Sequence, residues 1–206
     1  MQKLIIIIVM LITGSVLAQS NYEKGMTKAF DLWKKEKSVE ASHLFERIAK
    51  AETNNWLPSY YAAYINTLSS FGEKDKEVLI AKLKKAQDLV NDAKAISPDN
   101  VEIMILEALV NTAWIAYDGT TYGMTLGGKV MTLYANAEAI APNNPRVVLN
   151  KAEWNMGSAK FFGQDTKPFC KDVERALELF ANFKAESEFH PDWGKERAEQ
   201  VLSECK

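Results

Sequence analysis

The chain has 206 residues, of which 47% are hydrophobic and 25% are charged, and its formal net charge at pH 7 is −2. This composition is that of a globular protein, long enough to bury one sizeable core. Its charged runs mix both signs and contain no basic block, which excludes electrostatic capture of nucleic acid.

The first residues have the features of a secretory signal peptide. Lys3 supplies a positive charge, residues 4–12 form an apolar run too short to span a bilayer, and small residues precede Ala18. We expect residues 1–18 to be cleaved and residues 19–206 to form a single domain. Because no cysteine follows the apolar run, a lipid anchor is not expected. The mature chain, with a net charge of about −3 once Lys3 is removed, is predicted to be periplasmic or secreted and not membrane-spanning.

The rest of the chain is predicted to be all-α, because apolar residues recur at helical spacing and no alternating strand pattern occurs. Eight helices should pair into four hairpins, and a ninth should cap the end of the stack. The glycine-rich stretch 118–129 is expected to be a flexible loop between two helices. In chain order, the helices are predicted near residues 21–36, 38–51, 56–70, 74–96, 100–117, 123–141, 145–161, 169–186 and 192–205.

Two stretches of the chain repeat one pattern. Residues 93–100 read Ala-x-Ala-Ile-x-Pro-x-Asn, and residues 137–144 read the same. Alanine lets two helices approach closely, proline cannot continue the helix that it follows, and asparagine can cap the next helix. Pro145 then occupies the first helical position after the second copy, where proline is favoured. Each stretch is therefore predicted to join two stacked helices.

The second helices resemble the second helix of the tetratricopeptide repeat (TPR). That family has a small residue, a large apolar residue four positions later, a small residue three later and a proline five later. Two copies here read Ala86-Val90-Ala93-Pro98 and Val130-Tyr134-Ala137-Pro142. The first helices carry an alanine where the family has glycine or alanine, at Ala29, Ala63, Ala108 and Ala152, and the first of these steps is the family's 34 residues.

The resemblance covers essentially the whole predicted mature chain, although no repeat has the family's full Trp-Leu-Gly-Tyr set. It implies a right-handed α-solenoid of about four degenerate hairpins plus a C-terminal capping helix. Such a stack has a concave face on which relatives bind proteins or peptides. The chain is most similar to small secreted bacterial TPR-like proteins of uncharacterised function.

One asparagine recurs at an equivalent position, three residues after the alanine of three first helices: Asn66, Asn111 and Asn155. Asparagine is a mediocre helix former and needs hydrogen-bond partners when it is buried. One interpretation is that each amide binds the backbone of a neighbouring hairpin. The other is an amide ladder along a groove, which would bind the backbone of an extended peptide.

Aromatic side chains are the second group of candidate partner-binding residues. Tyr60 and Tyr64 lie one helical turn apart and therefore share a face, and Trp33 occupies a groove position on the first helix by repeat register. Their rings combine apolar area with a polar tip, as is typical of binding surfaces. Packing in the core is the alternative for the same residues.

The sequence contains no recognisable catalytic or metal-binding motif, and no cofactor is predicted. The two histidines, His43 and His190, lie far apart, and no third ligand at zinc-site spacing accompanies them. The stretch 118–129 ends in Gly-Gly-Lys but lacks P-loop spacing and a preceding strand. An enzyme would need a carboxylate pair that meets in space, such as Glu107 with Glu153.

Cys170 and Cys205 are the two cysteines of the chain. An even count in an oxidising compartment favours a structural disulfide between them. A redox-active pair is the alternative, but the C-x-x-C spacing is missing.

The function predicted from these observations is non-enzymatic binding of a protein or peptide on the concave face, in an adaptor or assembly role. The alternative is a small molecule or glycan bound in a pocket closed by loops 118–129 and 162–169, and edged by Tyr117, Tyr122 and Phe162. The partner's identity and the oligomeric state are left open.

Overall fold

The computed structural model describes residues 21–205, and this part of the chain is a stack of α-helices without strands. The predicted signal peptide lies outside the described residues. No helix among them is both long enough and apolar enough to cross a membrane. The helices are α1 (residues 21–34), α2 (Ser38–Ala51), α3 (Leu57–Leu68), α4 (Lys76–Ile96), α5 (Val101–Tyr117), α6 (Gly119–Ile140), α7 (Pro145–Phe161), a 3-10 turn (Lys167–Phe169), α8 (Cys170–Asn182) and α9 (Lys195–Glu204).

The predicted helix joints are confirmed in detail. Asn100 accepts hydrogen bonds from the backbone N–H groups of the second and third residues of α5, and Asn144 does the same for α7. These bonds satisfy donors that have no partner within the helix. Pro145 is the first residue of α7, where its missing N–H costs nothing.

The all-α class and the TPR-like stacking of hairpins are also confirmed. Helices α1/α2, α3/α4, α5/α6 and α7/α8 form the four hairpins, and α9 packs on α8. The alanines that carry the resemblance are at most 1% exposed, because the backbones of neighbouring helices meet at these positions. In the first helices they are Ala29, Ala63, Ala108 and Ala152, and in the second helices Ala86, Ala93 and Ala137.

The expectation of a flexible loop over residues 118–129 is wrong, because these residues form the first half of α6. The hairpin turns at one residue, Asp118, whose carboxylate accepts a hydrogen bond from the backbone N–H of Thr121. Glycine disfavours a helix by about 1 kcal/mol relative to alanine. Packing against α5, including Trp114 on Tyr122 with ring centroids 5.0 Å apart, overrides that preference.

The end of the chain also differs from the expectation. Helix α8 ends at Asn182 and α9 begins at Lys195, so the predicted helices 169–186 and 192–205 are both shorter than expected. The twelve residues between them, 183–194, contain no helix. We call this segment the C-terminal strap.

The predicted disulfide between Cys170 and Cys205 is confirmed, and it joins the first residue of α8 to the residue after α9. Its sequence separation is 35 residues. The bond closes a loop that contains α8, the C-terminal strap and α9.

Replacing both cysteines by serine is expected to lower the free energy of unfolding by roughly 4 kcal/mol, because the cross-link restricts the unfolded chain. Urea unfolding of the parent and the Cys170→Ser/Cys205→Ser variant, each with and without a dithiol reductant, measures this loss. The reductant should lower the stability of the parent to that of the variant and leave the variant unchanged. Equal stability of the oxidised parent and the variant would contradict the prediction.

Candidate functional site

The candidate aromatic residues of the first-helix face, the face formed by α1, α3, α5 and α7, do not line an open groove. Tyr60 is fully buried and Tyr64 is 8% exposed, whereas Trp33 is half-buried. The C-terminal strap covers the two tyrosines. Whether any of these side chains contacts a partner stays a prediction, and for Tyr60 and Tyr64 it requires the strap to move.

The C-terminal strap is held on the first-helix face by aromatic stacking and by two hydrogen bonds. The indole N–H of Trp193 donates to Tyr60 Oη over 2.9 Å, and the Trp193 ring stacks on Tyr64 with centroids 4.7 Å apart. The Tyr61 hydroxyl donates to the backbone carbonyl of Phe189 over 2.8 Å. Offset stacking adds about 0.5–1.5 kcal/mol per pair beyond the apolar area that it buries.

A buried ion pair lies beneath the other end of the strap. Arg146 of α7 is fully buried and donates through Nε and Nη2 to the carboxylate of Glu102 on α5, over 2.7 and 2.8 Å. The Asn144 side chain donates to the same carboxylate over 2.7 Å. Arg146 Nη1 finds no hydrogen-bond partner, but the guanidinium carbon lies 4.3 Å from the centre of the Phe183 ring. A cation–π contact with Phe183 therefore stabilises the part of the guanidinium that makes no hydrogen bond.

Removing one member of this pair is expected to be costly. Arg146→Met leaves the Glu102 carboxylate buried without its partner and should lower the free energy of unfolding by about 3–5 kcal/mol. The Glu102→Leu/Arg146→Met double variant should recover most of that loss, because no charge is then left buried.

The matched control is the exposed ion pair between Lys37 and Glu40, whose side chains are 52% and 58% exposed. Lys37→Met should cost less than about 1 kcal/mol. Similar losses in the free energy of unfolding for Arg146→Met and Lys37→Met would show that the buried pair contributes no more to stability than the exposed pair.

Burial raises the pKa of the tyrosines under the strap. Desolvation is the largest cause for Tyr60, Tyr61 and Tyr64, and the negative charge of Glu102 adds to the rise for Tyr60 and Tyr61. All three pKa values lie above the ordinary value of 10.0, so these hydroxyls stay protonated in the folded chain when unfolded tyrosine ionises.

Stability is therefore expected to fall in alkaline solution. Above about pH 10 the unfolded chain releases tyrosine protons that the folded chain retains, so the free energy of unfolding decreases as pH rises further. The contribution is fully present below that pH. Urea unfolding from neutral pH to about pH 11 measures the slope, which Tyr61→Phe should reduce. A stability that does not change above pH 10 would contradict this account.

The three asparagines have three different environments. Asn66 donates to the Ser42 hydroxyl of α2 over 2.9 Å and to the carbonyl of Ala62 over 2.7 Å. Asn111 is 4% exposed and donates to the carbonyl of Glu107 in its own helix over 2.6 Å. Asn155 is half-buried. Only Asn66 joins two hairpins, through a side chain and not through the backbone.

Three glycines on α6 and α7 lie between two contacts made by these helices, and open space borders each of the three. The two antiparallel helices meet at two points. Trp154 packs against the cluster that contains Val130 and Tyr134, and the Phe161 ring lies 3.7 Å from where a Gly119 side chain would begin. Between these points, the helical period places Gly123 and Gly127 of α6 opposite Gly157 of α7. We call this space the interhelical gap.

The gap is not filled by any described atom near its glycines. A Cβ added at Gly123, at Gly127 or at Gly157 would meet nothing within 4 Å. By contrast, a Cβ at Gly194 would lie 2.7 Å from the Phe180 ring, so glycine is required there by close packing. The glycines of the interhelical gap therefore leave two bare helix surfaces facing open space.

Exposed apolar side chains occur near the start of α6 and at the ends of α5 and α7. Phe161 and Phe162 are 74% and 71% exposed, with their ring centroids 5.1 Å apart, and Met124 of α6 is 95% exposed. Tyr117, at the end of α5, is 36% exposed. The Phe161 and Phe162 rings are therefore accessible to an outside molecule.

The titratable groups offer no comparable arrangement. Within residues 21–205, no group of three or more His, Cys, Asp or Glu side chains is placed to hold a metal ion. Glu107 is paired with Lys94 and Lys129, and Glu153 is paired with Arg197. Both carboxylates that were considered for an enzyme are thus neutralised by neighbouring cations.

Sequence reasoning missed the residues that define both surfaces. Phe189 lies in the break predicted between residues 186 and 192, whereas Trp193 lies inside the predicted helix 192–205, although Gly194 follows it directly. The glycines at 119, 123 and 127 recur every four residues, which is the spacing of one helix face. That periodicity could have identified the open face of α6.

Comparisons with known proteins identify the fold. No protein-family model matches the chain, and no curated protein matches it. Among solved structures, the HusA haemophore from Porphyromonas gingivalis has a TM-score of 0.76 and 22% identity, over 90% of this chain and 92% of that one. A thermophilic TPR protein from Thermus thermophilus has a TM-score of 0.42 and 13% identity, over 89% of this chain and 98% of that one. The chain therefore shares its fold with the haemophore.

Proposed function

We propose that this protein is a non-enzymatic binding protein, periplasmic or secreted, that takes up a flat apolar molecule in the interhelical gap. The class of ligand that fits best is a porphyrin such as haem. The observation that carries this proposal is the bare glycine surface of the gap beside the exposed Phe161–Phe162 pair. The shape of the gap, the shared fold and the disulfide support it.

The bare glycine surfaces favour a flat ligand. Helix surfaces without side chains, at Gly123 and Gly127 on one side and Gly157 on the other, let a planar ring system approach both backbones. The rings of Phe161 and Phe162 can stack on the edge of such a ligand. A peptide would instead require unpaired backbone or amide groups, which a glycine-lined apolar gap between two complete helices does not offer.

The shared fold is a further support. A structural neighbour over nine-tenths of the chain is named a haemophore, and a haem carrier must present an apolar surface to a planar ring. The disulfide between Cys170 and Cys205 is in keeping with an oxidising, extracytoplasmic location. The two histidines lie elsewhere, His43 exposed on α2 and His190 in the C-terminal strap, so stacking and apolar contact provide the affinity.

The test is a titration of the purified chain with iron protoporphyrin and with metal-free protoporphyrin, followed by absorbance and tryptophan quenching. Phe161→Ala/Phe162→Ala should weaken binding by about ten-fold, because two ring contacts of about 0.5–1.5 kcal/mol each are lost. Phe71→Ala is the matched control, since Phe71 is 43% exposed at the tip of another hairpin.

A second pair of variants tests the gap itself. Gly123→Leu meets open space and replaces a poor helix former, so the chain should remain folded while the new side chain blocks the ligand. Gly128→Leu makes the same change on the opposite face of α6, also in open space, and should bind as the parent does. Equal affinity of Gly123→Leu and Gly128→Leu, or no porphyrin binding by the parent, would reject the proposal.

A peptide or protein partner on the first-helix face is the second candidate, in an adaptor role. The observation that favours it is the C-terminal strap, a segment without helix that packs on this face and has an aromatic residue near each end. Asn66, Asn155 and Trp33 would border such a partner, and Tyr60, Tyr64 and Asn111 would contact it only after the strap had left.

A further inference from the structure

We propose that the C-terminal strap is an autoinhibitory segment latched by the Cys170–Cys205 disulfide, and that reduction of this bond uncovers the first-helix face. The proposal rests on the second candidate function for the meaning of the uncovered face. It concerns how access to that face is regulated. Its physical basis is the way in which the strap is anchored at its two ends.

At its first end the strap continues from α8, which packs firmly. Helix α8 buries Val173, Ala176 and Phe180 against α7. Phe183, the first residue of the strap, covers the guanidinium of Arg146. This end is therefore fixed whether or not the disulfide is formed.

The second end of the strap continues into α9, which is a short helix. Helix α9 has ten residues and fully buries only two small apolar side chains, Ala198 and Val201. Leu202 packs against the same apolar cluster, and the ion pair between Arg197 and Glu153 of α7 and the disulfide also connect α9 to the rest of the chain. So short a helix is marginal alone, because its stability comes from tertiary packing. The disulfide adds a covalent anchor to this packing.

The strap itself is incompletely packed along its middle. Ser187, Glu188 and Phe189 border an open depression of about 320 Å³, whose other wall includes Leu57 and Asn55. Open space beside a segment without helix lowers the free energy needed to lift it. Phe189 and Trp193 supply the hydrogen bonds that join the strap to α3.

The latch has simple chemistry. A dithiol reductant transfers two electrons and two protons to the disulfide, leaving thiols at Cys170 and Cys205, and is itself oxidised to a disulfide. Both cysteines are half-buried and not fully enclosed. Once α9 is no longer tied to α8, the strap loses one of its two anchors, and Tyr60, Tyr61 and Tyr64 become accessible when it lifts.

Limited proteolysis of the full chain with chymotrypsin tests the latch, with cleavage sites identified by mass spectrometry. Cleavage after Phe189 and Trp193 should become about ten-fold faster or more on reduction, since the enzyme needs a locally opened chain. Cleavage after Phe161 and Phe162, which are exposed in both states, is the internal control. An unchanged rate at Phe189 and Trp193 in the reduced, still helical chain would overturn the proposal.

A variant separates strap release from loss of the disulfide. Gly194 has φ +114 and lies against the Phe180 ring, so Gly194→Ala disturbs the end of the strap and leaves both cysteines intact. The oxidised variant should be cleaved in the strap as fast as the reduced parent. Protection equal to that of the oxidised parent would show that the strap does not need this anchor, and would count against the latch.

A peptide-binding experiment tests the second candidate function separately. The probe is a fluorescent peptide of residues 183–194, and its control has alanine in place of Phe189 and Trp193. Binding of the probe to the opened chain, and not to the oxidised parent, supports the second candidate function. If the strap opens and the probe does not bind, the latch stands and the peptide candidate is rejected.

Discussion

The size of the side chain at each helix contact determines the architecture of this protein. Where alanine occupies the contact, as at Ala63 and Ala108, the two helix backbones meet and the position is fully buried. Where glycine occurs on α6, as at Gly123 and Gly127, an added Cβ would meet nothing within 4 Å, so space remains beside the helix. Small residues thus occur both at the tight hairpin contacts and along the interhelical gap.

The two candidate surfaces differ in whether other residues of the chain cover them. On the first-helix face, the C-terminal strap already satisfies the aromatic rings and hydroxyls of Tyr60, Tyr61 and Tyr64, so little affinity is left for an outside molecule. At the interhelical gap, Phe161 and Phe162 are exposed and no described atom fills the space beside the glycines. A ligand that covers these exposed aromatic rings gains binding free energy that the chain itself has not already used.

Local sequence signals predicted the architecture well and the surfaces poorly. Caps such as Asn100 and Asn144, and buried alanines at repeat spacing, act between neighbouring residues and helices, so their effect could be read from the chain. The contact of Trp193 with Tyr60 spans 133 residues and follows from no local pattern. The loop prediction for residues 118–129 was wrong for the opposite reason. Local propensity favoured a loop there, and packing against α5 overrode it.

The central claim is that a flat ligand binds in the interhelical gap. Amide chemical-shift mapping of the labelled chain during a protoporphyrin titration locates the binding site directly. We predict that the largest shifts occur at Gly119, Gly123, Gly127, Gly157, Phe161 and Phe162, with the C-terminal strap unaffected. Shifts confined to the strap and to α3, with none along the glycines of α6, would contradict the claim.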